Sequence, residues 1–100
     1  MAFKPIVIEK EIDGVVYKAQ FNGVKAMYDI ADAADGSNTK LIDYLFENVV
    51  VEPKIGDIDE YFGTDTEHLN KVVEFAGAVA RADKKYFPAT NKNAVKAKGN

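Results

Sequence analysis

The 100 residues specify an α+β domain, an N-terminal antiparallel β-hairpin packed on three to four α-helices. Three stretches carry that reading. Val15 to Phe21 alternates apolar and polar residues directly behind Asp13-Gly14, as a half-buried strand leaving a tight turn does. Leu41, Ile42, Leu45, Phe46 and Val49 recur at three- and four-residue spacings, which puts them on one stripe of a core helix. The stretch from Thr64 to Phe87 repeats that helical spacing over a longer run.

In order along the chain, Phe3 to Lys10 and Val15 to Phe21 form the hairpin, with Ile6 and Ile8 on one face and Val7 on the other. The turn needs positive φ, which Gly14 adopts without a steric penalty. A two-stranded hairpin is marginal alone, so its apolar face must lie on helices. Asn22 is the expected N-cap of a first helix from about Gly23 to Ala34, whose inner face carries Val24, Met27, Tyr28 and Ala31. Asp35-Gly36 ends it and leads directly into the next helix, so the two form an antiparallel pair.

Either Ser37 or Asn38 caps the core helix, and Pro53 blocks its extension. Val49 to Val51 leave as a stiff extended exit that is also long enough to add a third strand. Asp57 then opens a short helical segment, DIDEYF, with Glu60 placed as in a capping box and Gly63 closing it. The last helix is capped by Thr64 with Glu67, or by Thr66, and runs to about Phe87 before Pro88. Leu69, Val72, Val73, Ala76, Val79, Ala80 and Asp83 trace its inner face, and Gly77 among alanines makes its middle narrow. Phe75 and Tyr86 fall off that stripe, either as a second packing face within the monomer or as a face for a partner. Residues 1–88 therefore form one domain and residues 89–100 a flexible basic tail.

Charge and composition narrow the function. Residues 1 to 83 carry 16 acids against 8 Lys and Arg, a net of -8, whereas residues 84 to 100 carry five lysines and no acid. An acidic body repels phosphate backbones, which argues against nucleic-acid binding. No run approaches the ~20 apolar residues needed to span a bilayer, and a lysine follows too soon after the first apolar residues for a secretory signal. The absence of cysteine excludes disulfides and thiolate chemistry.

A search for reactive groups finds none organised for catalysis or metal binding, and no cofactor is expected. His68, the only histidine, falls in the first turn of the last helix, where a solvated or capping role is expected. Asp57, Asp59 and Glu60 do not match a calcium loop and suit a helix start. Ser37, the only serine, has no base near it in sequence. The reading is of a protein that binds another protein and transforms no substrate.

The order IDGVVYKAQFNGVKAMYDI, then LIDYLFENVVVEPKI, then DIDEYF, then a long helix and a lysine-rich end resembles the small tail assembly chaperones of long-tailed bacteriophages of Gram-positive hosts. The likeness covers residues 6 to 87 and consists of apolar and turn patterns. It implies a non-enzymatic protein of the host cytoplasm that binds the tape measure protein, keeps it soluble, helps tail-tube subunits polymerise around it and leaves the finished particle. It also implies that a frameshift-extended form can accompany the short one. Phe75, Tyr86 and Phe87 are the candidate anchors for the client helix, and self-association through the narrow middle of the last helix is a further expectation. The competing reading is a small structural virion protein, a tail completion or head-tail joining component. An acidic mimic of nucleic acid is disfavoured because the acids are spread over turns and helix starts.

Overall fold

In the computed structural model, which describes residues 3–87, the chain turns on itself at Asp13-Gly14, where both residues take positive φ, 51° and 86°. Two consecutive left-handed residues match the twist of the flanking strands, so the turn fixes the register. β1 (Ile6–Ile12) and β2 (Val15–Phe21) pair antiparallel from Ile6 opposite Phe21 to Ile12 opposite Val15. β1 thus begins three residues later than expected and runs two residues further, up to the turn. Tyr17, Ala19 and Phe21 are buried on the inner face, while Val16 and Val7 point outward and are exposed.

α1 (Val24–Ala34) is capped by Gly23 and not by Asn22, whose side-chain amide instead donates to the carbonyl of Asn48 at 3.1 Å. Asp35 and Gly36, both at positive φ, end it. α2 (Asn38–Asn48) starts at Ser37, whose hydroxyl accepts from the Lys40 amide. It packs antiparallel on α1 and delivers Leu45 and Phe46 to the core. The valines do become a third strand: β3 (Val50–Glu52) pairs antiparallel with β2, Val50 opposite Ala19 and Glu52 opposite Lys18, giving the order β1-β2-β3.

α3 (Ile58–Phe62) is one short turn opened by Asp57, whose carboxylate accepts from the Glu60 amide at 3.1 Å. α4 (Thr66–Ala80) lies across the inner face of the sheet against β2 and buries Val72, Phe75, Ala76 and Val79. Its cap is Asp65, not Thr64 or Thr66. It also ends seven residues earlier than the sequence suggests. Ala82 takes φ 54°, its amide donates to Val79, and the Asp83 amide reaches back to Ala78. These are the two bonds of a Schellman ending, built here on alanine where glycine is usual. Asp83 is therefore outside the helix, and its carboxylate accepts from the Lys85 amide instead. Among the described residues, no helix is long and apolar enough to cross a membrane. The expected basic tail, residues 89–100, lies outside the described residues.

Candidate functional site

His68 is not a solvated cap. Asp65 fixes the first turn of α4 by accepting the His68 amide at 3.1 Å, and that turn aims the imidazole inward between Tyr17 and Phe62. The residue is 9 % exposed. Its Nδ1 lies 2.8 Å from Asp13 Oδ2 in the hairpin turn, and its Nε2 lies 2.7 Å from the hydroxyl of Tyr17, which is fully buried. The Tyr17 hydroxyl meets that of Tyr61 on α3 at 2.9 Å, while Lys71 donates to the other oxygen of Asp13 at 2.9 Å. One polar chain thus ties the turn, β2, α3 and α4 together.

The hydrogens in that chain are ordered by the chemistry of its members. An ionised carboxylate only accepts, so Nδ1 donates to Asp13. With a neutral ring Nε2 then accepts from Tyr17, and Tyr61 donates to the Tyr17 oxygen. His68 and Lys71, bonded to Asp13, hold its carboxyl below the usual carboxylate range, and Asp13 in turn raises Lys71. Burial, then the Tyr61 hydrogen bond, pushes the Tyr17 phenol well above its ordinary value. The order Asp, His, hydroxyl matches that of a nucleophile relay. Here, however, the hydroxyl is a phenol without exposure, driven away from its ionised form, so the arrangement works as a strut.

The three candidate anchors are brought together, but as packing. Phe75 is 2 % exposed and meets Tyr86 edge-on at 5.4 Å between ring centroids, and Phe87, 9 % exposed, packs on Phe21 at 5.6 Å. Tyr86 is half-buried, and its hydroxyl accepts from Lys10 at 3.1 Å. The cause is the early end of α4. The chain reverses at Ala82 and folds Tyr86 and Phe87 back over the hairpin, so no aromatic row lies along one helix. Phe75 and Phe87 both belong to the buried core.

A different surface forms an apolar groove. Between α1 and α4, with α2 as its floor, lies a hollow of about 370 Å³ lined by Met27, Ile30, Leu41, Leu45, Val73, Glu74, Gly77 and Arg81. Leu45 forms its buried base, and the half-buried Met27, Ile30, Leu41 and Val73 line it. Glu74 and Arg81 supply a charged rim. Gly77 keeps the α4 wall low, since a Cβ there would come within 3.3 Å of the Arg81 guanidinium. Of the face expected for α1, Met27 packs inward, with Ile30 beside it, whereas Val24 and Tyr28, 71 % and 73 % exposed, and Ala31 face outward. The apolar arc of α1 is wider than α2 can cover.

Among the described residues, no group of three or more His, Cys, Asp and Glu side chains is arranged to hold a metal ion. No protein-family model, no curated protein and no solved structure matches the chain.

Proposed function

We propose that this protein is a non-enzymatic tail assembly chaperone of a long-tailed phage or prophage, acting in the host cytoplasm, which holds amphipathic helical segments of the tape measure protein while tail-tube subunits assemble around it. The observation that carries the reading is the groove on α2: an apolar floor and walls with a charged rim, bordered by a helix whose apolar arc is left half uncovered. A groove of that kind takes the apolar face of a partner helix. The sequence patterns over residues 6 to 87 that resemble that family support the same reading. So does the burial of Tyr17 and His68, whose hydrogen-bonding atoms are taken up within the fold.

Co-expression with the tape measure protein of the same phage tests the role. The client is expected to shift from the insoluble to the soluble fraction when this chain is present, and mass spectrometry of purified particles is expected not to find the chain. Retention in particles at a fixed copy number would instead make it a structural virion component.

A further inference from the structure

We infer that Asn22 is a site of spontaneous deamidation: its side-chain amide is lost to attack by the Gly23 nitrogen, and the carboxylate that results unties the end of β2 from the corner where α2 becomes β3. The inference is independent of the chaperone reading. Asn22-Gly23 is the only Asn-Gly pair in the chain. With no Cβ on Gly23, its nitrogen closes on the Asn22 carboxamide where any larger residue would crowd the approach. The fold leaves that approach open. Asn22 and Gly23 are each only half-buried, Gly23 takes φ 110°, and among the described residues its amide donates no hydrogen bond. Asn38, Asn48 and Asn70, by contrast, lie in α2 and α4 and precede Thr, Val and Lys.

The chemistry needs only water. Hydroxide takes the Gly23 amide proton, the nitrogen attacks Asn22 Cγ, and an N–Cγ bond forms as the Cγ–Nδ2 bond breaks. Ammonia leaves with a proton drawn from water, and a cyclic imide remains. Water then opens either imide carbonyl, giving aspartate or isoaspartate at position 22, and no atom is oxidised or reduced.

What the lost amide was holding decides the effect. The Asn48 carbonyl is among the last four of α2, which have no partner inside the helix, and the Asn22 amide donates to it at 3.1 Å. Beside it the Gln20 amide donates to the Val49 carbonyl at 2.9 Å, so two bonds fasten the end of β2 to this corner. An ionised carboxylate only accepts, so after the reaction position 22 meets the Asn48 oxygen with no proton to share, at the negative end of the α2 dipole. A hydrogen bond is replaced by repulsion. Because α1 begins at Val24, the loosened corner is also the root of the helix that walls the groove.

The test has two arms, both on the full-length chain. In the first, the protein is incubated at mildly alkaline pH and digested, and each asparagine-containing peptide is followed by mass spectrometry. The Asn22 peptide is expected to take the mass gain of an amide turned acid at least about tenfold faster than the peptides holding Asn91 or Asn93. Asn22→Gln, whose longer side chain closes the ring more slowly, is expected to suppress that gain. In the second arm, Asn22→Asp supplies one product directly. It is expected to melt about 2 °C or more below the parent and to exchange the Gln20 amide at least about threefold faster. Aged parent protein, converted at Asn22, supplies the same comparison if Asn22→Asp does not fold. Conversion at Asn22 no faster than at Asn91 or Asn93 overturns the inference. So does conversion that leaves melting and Gln20 exchange unchanged.

Discussion

Tyr17 is the residue on which the inside of the molecule turns, because its hydroxyl links His68 to Tyr61. Tyr17→Phe keeps the ring packing and leaves two polar groups without that partner, so it should cost about 1–3 kcal/mol in a urea titration. The pH dependence follows from the same residues. Asp13 titrates below its ordinary value in the fold, so its contribution is present above about pH 4 and lost as pH falls through its lowered pKa. Tyr17 and Lys71 titrate above their ordinary values. The unfolded chain therefore releases those protons first, and stability should decline as pH rises beyond about 10. Thermal unfolding across pH should show both losses, with Tyr17→Phe removing the tyrosine part of the alkaline one. None of this was legible in sequence, because Asp13 and Tyr17 lie 55 and 51 positions from His68 and no local pattern announces their meeting.

Among the elements, several set by local chemistry read correctly, although the caps expected at Asn22 and at Thr64 or Thr66 fall instead on Gly23 and Asp65. Asp13-Gly14 gave the turn, Ser37 and Asp57 gave caps, and the alternation of Val15 to Phe21 gave the strand. The end of α4 did not, because its left-handed residue is Ala82 where the usual signal is glycine. Ala82→Gly should therefore stabilise the protein by about 1 kcal/mol, since the left-handed conformation costs alanine roughly 1–2 kcal/mol and glycine almost nothing. An Ala82→Gly variant no more stable than the parent would count against that ending. The face of α1 was misread because five of its apolar residues span too wide an arc for spacing to choose among them. Tyr28→Ser should change stability by less than about 0.5 kcal/mol, whereas Leu45→Ala beneath the groove should cost about 2–5 kcal/mol. The difference separates side chains available to a partner from those that hold the fold.

At the scale of the molecule, the sheet covers one side of the core, while the helices cover the other and open a groove between α1 and α4. The sequence led to a protein-binding role but put the anchors on Phe75, Tyr86 and Phe87, which the fold uses to close the hairpin onto α4. The proposed role rests instead on the groove lined by Met27, Ile30, Leu41 and Val73, with Gly77 on its α4 wall. The most direct measurement is methyl NMR of the full-length chain as a fragment of the tape measure protein is added. Saturable shifts confined to Met27, Ile30, Leu41, Leu45 and Val73 are the expected result. An unchanged spectrum, or shifts centred on core methyls outside the groove such as those of Val49, Val50 and Val72 with the groove methyls silent, would contradict the proposal that this chain works by holding another protein's helix.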